Sequence, residues 1–377
     1  MRRIGSRSRF VIILSVVALV LVAGWYDGPV RQAVLLTTDL VLQPSFSVLA
    51  PFKSKIVPTV VEIPYDEGMM MTTATILYPV GVENGGGVIL APGYLPTMSD
   101  PLLDRLAQDL AQMGFFVLIP KTARLRQGLV TPEDVEVLVA AFLWLSEQPG
   151  INPESIGFAG FCIGGSLAMV AAADSRINER VSYINIFGGY FDARSAFRSI
   201  GTHTMILSDR TTPWQPAPQA VALYLQNVLM HIEDDTSRKQ IEYALQENQS
   251  IDIAALRPDV RRIYQVLAAS TPSEMERRLS ELSEDKLAYF AAISPSHAIS
   301  QLKARVFVMH DIADPYMPVS ESYQLAEAIP PSTEVVITRF QLFNHVHPSG
   351  VLGRAILAKE SVKLMWHLSR LFDVMTP

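Results

Sequence analysis

Cysteine and charge are both scarce in this chain of 377 residues. The chain contains a single cysteine, Cys162, so no disulfide within the chain can support the fold. Charged residues make up 18% of the chain and hydrophobic residues 49%, which is enough apolar material for a large core in one domain or two. The histidines show no spacing typical of a metal site, and we expect neither a metal ion nor a cofactor.

Basic charge is concentrated at the N-terminus. Residues 1–9 hold four of the 31 basic residues and no acid, so the rest of the chain has 27 basic against 37 acidic residues, a net charge of −10. Nucleic-acid binding relies on the neutralisation of phosphates by Lys and Arg. A body this acidic therefore predicts no nucleic-acid partner.

A hydrophobic run follows the basic residues. Phe10–Ala23 is uncharged and apolar and, extended through the aromatics Trp25 and Tyr26, is about long enough to cross a bilayer. Leading arginines favour the cytoplasmic side. Residues 1–26 therefore predict a single-pass transmembrane helix that anchors the protein, with the rest of the chain extracytoplasmic. The alternative is a signal peptide, cleaved at its small residues to release a secreted protein.

The remainder of the chain divides into three parts. Residues 27–56 are apolar enough to lie against the membrane or against the body of the protein, and the sequence leaves both open. Residues 57–191 and 301–377 alternate apolar strands with helices, which predicts an α/β domain with a mostly parallel central sheet flanked by helices. Residues 192–300 are mostly helical in pattern, and we interpret them as a helical lid inserted into that domain.

The cysteine stands in the stretch GFAGFCIGGSLAMV, residues 157–170. Gly160 and Gly164 flank it, a strand pattern precedes it and a helix pattern follows, which is the G-x-nucleophile-x-G form of a strand–turn–helix elbow. The glycines leave room for the tight turn, and the positive end of the following helix favours the reactive thiolate. We predict that Cys162 is a nucleophile rather than a small buried hydrophobe. Ser166 lies a full turn into the helix and lacks this spacing.

This layout resembles the α/β-hydrolase fold, and the form G-x-C-x-G-G resembles dienelactone hydrolase and its relatives. The resemblance covers roughly residues 58–190 and 300–372. It implies a catalytic triad in the chain order nucleophile, acid, base, with the acid after a late strand and the histidine after the last strand.

Two later stretches supply the acid and the base that the resemblance implies. VFVMHDIADPYMPVSES resembles the strand–loop–aspartate–proline segment of the family, which implies Asp314 as the acid and leaves Asp311 as a weaker alternative. TRFQLFNHVHPSG contains two histidines after the last strand. His345 fits the distance from the strand end in the family, and His347 is the alternative base.

The resemblance also implies an oxyanion hole. Its backbone donors would be the N–H groups of Ile163, after the nucleophile, and of Tyr94, in the loop after an early strand. The chain has Ala-Pro-Gly before Tyr94 where relatives often carry histidine and glycine, so the identity of the second donor stays open.

The expected activity is hydrolysis of an ester, lactone or thioester through a Cys-His-Asp triad and a covalent acyl-enzyme. The expected substrate is a hydrophobic small molecule held in a pocket under the lid. Four aromatic and methionine side chains of the insertion either line that pocket or, as is more common for a helical stripe, only pack within the lid: Trp214, Tyr224, Met230 and Tyr243. Two alternatives are a binding protein that keeps the elbow without the chemistry and an acyltransferase that uses the same triad.

Overall fold

The computed structural model of the protein describes residues 28–42, 54–94, 100–247, 249, 251–348 and 353–377. The predicted membrane anchor, residues 1–26, lies outside the described residues. No helix in the described ranges is both long enough and apolar enough to cross a bilayer.

A mixed sheet forms the centre of the molecule. The strands in chain order are β1 Ile56–Tyr65, β2 Met70–Pro79, β3 Gly85–Ala91, β4 Phe116–Pro120, β5 Ile151–Phe161, β6 Tyr183–Phe187, β7 Thr204–Leu207, β8 Arg210–Pro213, β9 Arg305–Asp311, β10 Val335–Phe340, β11 Phe343–Asn344 and β12 His347–Pro348. The central sheet has the order β1-β2-β4-β3-β5-β6-β9-β10. β2 is antiparallel to β1 and to β4, and every other neighbouring pair in this sheet is parallel. The predicted mostly parallel sheet is confirmed.

Helices cover both faces of this sheet. In chain order they are α1 Pro29–Leu42, α2 Pro101–Gln112, α3 Ala123–Arg126, α4 Pro132–Ser146, α5 Ile163–Ala172, α6 Ala193–Thr202, α7 Pro218–Leu229, α8 Asp235–Gln246, α9 Pro258–Leu267, α10 Pro272–Ser280, α11 Glu284–Ala292, α12 Pro295–Ala298, α13 Ser320–Ala328 and α14 Arg354–Met375. Helices α1, α2 and α14 share one hydrophobic core with one face of the sheet, and α4, α5 and α13 share another with the opposite face. Because both faces are covered, strands such as β3 and β6 are buried along their whole length.

Local signals fix where two of these helices begin. The carboxylate of Asp100 accepts the N–H groups of Leu102 and Leu103, and Pro101 occupies the first turn of α2. Helix α4 starts in the same way after a capping residue and a proline. Both starts therefore depend on residues a few positions apart in the sequence.

Helix α1, which belongs to the stretch 27–56, packs on the body of the protein. Ala33 and Leu36 are buried in the same core as α2 and α14. The fully buried carboxylate of Asp39 accepts two hydrogen bonds from the guanidinium of Arg105 on α2, at 2.5 and 2.6 Å. A bidentate bond of this kind fixes orientation as well as position.

The insertion leaves the sheet after β6 and returns at β9, and these two strands are neighbours in the sheet. It contains α6 to α12 and also the antiparallel hairpin of β7 and β8, which the sequence did not predict. Each of these strands has four residues, too few for a period-2 pattern to stand out.

A buried carboxylate fastens the start of the insertion to the core. Glu321 on α13 accepts the N–H groups of Phe191 and Asp192 at 3.0 and 3.2 Å and the hydroxyl of Ser195 at 2.7 Å. Burial raises the pKa of Glu321 from 4.5 to about 7, against the lowering effect of these hydrogen bonds.

This pKa predicts how stability depends on pH. The folded state binds the proton of Glu321 more tightly than the unfolded state, so the contribution is complete below pH 4.5 and is lost as the pH rises through about 7. The loss amounts to about 3 kcal/mol. In Glu321→Gln the free energy of unfolding should no longer fall by this amount between pH 4.5 and about 7. Urea titration below and above this pH range measures the difference. The new amide can still accept the two N–H groups and donate to Ser195.

Glu327→Gln is the matched control, because Glu327 is exposed on the same helix. This variant should keep the decline of the wild type. An equal decline in Glu321→Gln and wild type would contradict the assignment of the titration to Glu321.

Candidate active site

Cys162 occupies the tight turn between β5 and α5. Its φ of 52° and ψ of −133° lie in a region that side chains rarely adopt. A Cβ on Gly160 would come within 2.3 Å of the Cα of Gly165, and a Cβ on Gly164 within 2.2 Å of the carbonyl oxygen of Pro92. The glycines are therefore a steric requirement of the turn, as the sequence predicts.

Two loops bring a histidine and an aspartate to the same edge of the sheet. Asp314 follows β9, and His345 follows the neighbouring parallel strand β10. The two side chains are buried, and Nδ1 of His345 lies 2.6 Å from Oδ2 of Asp314. The imidazole therefore donates its Nδ1–H to the carboxylate and keeps Nε2 available for another partner.

The carboxylate of Asp314 is held by further donors. Its Oδ1 accepts the N–H groups of Tyr316 and Met317 at 2.7 and 3.0 Å. The indole N–H of Trp214 donates to the backbone carbonyl of Asp314 at 2.9 Å. The acid is thus fixed by its own loop and by one side chain of the insertion.

Electrostatics favour a protonated His345. Burial lowers the pKa of this imidazole, but the charges on Cys162 and Asp314 and the hydrogen bonds to both raise it, and the result is a pKa of about 10. The ring also stacks on Tyr316, with centroids 4.8 Å apart. The imidazole thus interacts with the thiol as well as with the carboxylate.

The alternative residues lie in other surroundings. The side chain of His347 is 53% exposed, and its Nε2 lies 3.3 Å from Oδ2 of Asp100. Asp311 accepts the N–H of Phe343 at 2.8 Å and so braces the loop that carries His345. This contact makes Asp311 a support of the base loop.

Ser166 is fully buried, and its hydroxyl is engaged on both sides. It donates to the carbonyl of Tyr190 at 2.9 Å and accepts the N–H of the same residue at 2.8 Å. This hydroxyl joins α5 to the segment after β6, a structural role.

The residues predicted to form the oxyanion hole lie beside the thiol. Ile163 is the first residue of α5, where the N–H groups of a helix have no acceptor within the helix. Tyr94 lines the same cavity as Cys162, and a Cβ on the neighbouring Gly93 would lie 2.8 Å from the Cβ of Cys162. The assignment of these two residues as oxyanion donors stays a prediction.

One residue of this site was not found from the sequence. Gly188 follows β6 with a φ of 64°, and a Cβ there would lie 3.0 Å from Nδ1 of His345 and 3.2 Å from Oδ2 of Asp314. Its glycine leaves room for the imidazole–carboxylate pair. The signal in the sequence is the glycine pair directly after the strand pattern that ends at Phe187.

Cys162 and His345 open onto a cavity of about 590 Å³. Helices α1, α2 and α14 and one face of the sheet form most of its wall, and Gln219 and Leu223 are the insertion residues that line it in the described part of the chain. Those ranges hold no group of His, Cys, Asp or Glu side chains suited to a metal ion.

Of the two roles left open for the aromatic and methionine side chains of the insertion, the structure shows packing and not lining of this cavity. Tyr243 is 57% exposed, Trp214 bonds to the Asp314 loop, and the sulfur of Met230 accepts the hydroxyl of Tyr289 at 3.8 Å. Tyr224 lines a separate space of about 50 Å³ beside Cys162. Helical spacing alone did not distinguish packing residues from pocket residues.

Comparison with known proteins agrees with this geometry. Residues 101–189, which include the elbow, match the model of the dienelactone hydrolase family. No curated protein matches the chain.

Among solved structures, an acylaminoacyl peptidase from Pyrococcus horikoshii is similar with a TM-score of 0.50 at 11% identity, over 86% of this chain and 42% of the peptidase. A 2,6-dihydroxy-pseudo-oxynicotine hydrolase is similar with a TM-score of 0.47 at 15% identity, over 92% of this chain and 73% of the hydrolase. At such identity the likeness to the peptidase concerns the fold alone. Taken with the strand order and the elbow at Cys162, it shows that the chain has the α/β-hydrolase fold, and the segment that contains the elbow is similar to the dienelactone hydrolase family.

Proposed function

We propose that the protein hydrolyses an ester, lactone or thioester of a small molecule through Cys162, His345 and Asp314. The observation that supports this most directly is a cysteine on a strained elbow, beside an imidazole bonded to a buried carboxylate, at one end of a cavity. This is the arrangement of nucleophile, base and orienting acid that acyl transfer needs.

In the first half of the reaction the thiolate of Cys162 attacks the substrate carbonyl carbon. The negative charge that develops on the carbonyl oxygen is stabilised by the N–H groups of Ile163 and of the backbone at Tyr94. The protonated His345 gives its Nε2 proton to the departing alkoxide or thiolate as the bond to the carbonyl carbon breaks. The product of this half is an acyl thioester on Cys162.

In the second half His345, now neutral, takes a proton from water. This proton transfer forms the imidazolium again while the water oxygen attacks the thioester carbon. The C–S bond then breaks, which releases the acid product and restores the thiolate of Cys162. Asp314 orients the ring and stabilises its charge in both halves without accepting the proton.

Loss of the nucleophile tests the proposal. Cys162→Ala should abolish turnover of p-nitrophenyl esters, and wild-type protein mixed with substrate should gain the mass of one acyl group on Cys162. His345→Gln should lower kcat by about 10²-fold or more, because general base assistance contributes about 10²–10⁴-fold. Rates are measured spectrophotometrically and the adduct by mass spectrometry of peptides.

His347→Gln is the control for the base, since His347 is half exposed and paired with Asp100. We expect a far smaller loss than in His345→Gln. Full activity in Cys162→Ala would refute the thiol mechanism, and an acyl adduct transferred to added alcohol in preference to water would indicate an acyltransferase instead.

The charge on His345 gives a second prediction. The imidazole should remain protonated until the pH approaches about 10, because Cys162 and Asp314 favour the charged ring. Cys162→Ala and Asp314→Asn each remove one favourable partner, so the pKa of His345 should fall in both. NMR titration of ¹⁵N-labelled histidine measures this shift, with His345→Gln used to assign the resonance.

The same pKa has a consequence for stability. The folded pKa exceeds the ordinary 6.5, so the contribution to stability is complete below pH 6.5 and is lost as the pH rises through about 10. Titration of His345 near pH 6.5 in the wild-type protein would contradict the raised pKa of this imidazole.

A further inference from the structure

The cavity at Cys162 continues away from the insertion into the layer between the sheet and three helices. Leu36 and Leu40 of α1, Leu106 of α2 and Leu368 of α14 line it, and ten of its lining residues are leucines. Ala159, which precedes the thiol on β5, also lines it, so the cavity runs beneath the end of that strand. A space with this lining attracts an apolar ligand.

One polar residue of this wall, Asn185, already has a hydrogen-bond partner. Asn185 lines the cavity, but its amide oxygen lies 3.0 Å from Nε2 of the fully buried His367. Burial lowers the pKa of His367 to about 3, so the ring is neutral, and its Nδ1 lies 2.9 Å from the hydroxyl of Thr338. This chain of hydrogen bonds therefore orients the side chain of Asn185, and its amide oxygen already has a partner within the protein.

The length of the cavity can be read along α14. Its lining residues on this helix run from Leu364 to Met375, which at about 1.5 Å per residue is roughly 16 Å. Carbon–carbon bonds of about 1.5 Å in a zigzag advance roughly 1.25 Å each, so an extended alkyl chain of about twelve carbons is roughly 14 Å long between its end atoms, and the radius of the terminal methyl group, roughly 2 Å, brings it to this length. The volume of about 590 Å³ lies in the range of small-molecule sites.

We propose that this cavity binds the acyl chain of the substrate, and that the protein acts on esters or thioesters of fatty acids of about ten to twelve carbons. The kind of bond that is cleaved rests on the proposed function, and the length and apolar character of the acyl chain rest on the cavity. The carbonyl would lie at Cys162 and His345, the chain would run between α1, α2 and α14, and the leaving group would remain outside.

The experiment measures kcat/KM of the full-length protein for p-nitrophenyl esters with acyl chains from acetyl to hexadecanoyl. Each methylene that enters the cavity should raise kcat/KM by up to roughly fourfold, since transfer of a CH₂ from water is favourable by about that factor. We expect a rise up to decanoyl or dodecanoyl and a fall at hexadecanoyl, where the chain exceeds the cavity.

Variants that fill the cavity test its position. Leu40→Trp and Leu106→Trp each replace a leucine of the cavity wall with a larger side chain. Both positions are partly buried, where the fold tolerates a larger side chain better than at a fully buried position. The ratio of kcat/KM for dodecanoyl to that for acetyl ester should fall by about tenfold or more, the value of two buried methylenes. Val30→Trp is the matched control on α1, because Val30 is 40% exposed and does not line the cavity, and it should keep the wild-type ratio.

A second readout separates the cavity from the chemistry. Cys162→Ala should bind dodecanoate, measured by calorimetry, and addition of Leu40→Trp to this variant should weaken that binding. Ester turnover that does not depend on chain length, with no dodecanoate binding, would overturn the inference and leave the proposed function standing. Dodecanoate binding without any ester turnover or acylation of Cys162 would support the acyl cavity and overturn the proposed hydrolysis.

Discussion

The strained turn at Cys162 is the constraint on which the rest of the site depends. A residue held at positive φ outside the usual left-handed region costs on the order of 1–3 kcal/mol and persists only when its surroundings impose it. Here β5 is held by parallel partners on both sides, and the N–H of Cys162 donates to the carbonyl of Phe187 at 2.7 Å. The close approach of Gly164 to the backbone of Pro92 then leaves no room for a relaxed turn. The thiol therefore lies beyond the end of β5, at the start of α5.

The histidine and its acid reach the thiol because two loops are separately braced. Asp314 is held by backbone donors of its own turn, whereas the loop of His345 is held through the carboxylate of Asp311. Gly188 leaves the space in which the ring meets the acid. Because these supports differ, the spacing between imidazole and carboxylate is set by the sheet edge from which both loops leave, and not by a single hydrogen bond.

Sequence reasoning succeeded where the cause is local and failed where it is not. The elbow and the capped start of α2 depend on residues a few positions apart, so their patterns are readable. The order of acid and base came from resemblance to a family, since nothing near His345 in the sequence distinguishes it from His347. A pocket was expected under the lid, but the position of this cavity could not be predicted, because it arises where α1 and α14 meet, elements separated by most of the chain. An apolar helical stripe shows that a face is buried, but not which other stripe it meets.

Helix α1 gives the cavity a wall that the sheet and the later helices do not supply. The ion pair between buried Asp39 and partly exposed Arg105 adds little net stability after desolvation of the carboxylate, but it fixes the orientation of α1 over α2. A stripe of leucines on three helices would ordinarily interdigitate and close such a space, since an unfilled apolar cavity forfeits the dispersion contacts of its lining. In a fold whose net stability is about 5–15 kcal/mol, that loss is a substantial fraction. The cost of keeping this cavity open, and its connection to the thiol, support the proposal that a ligand fills it.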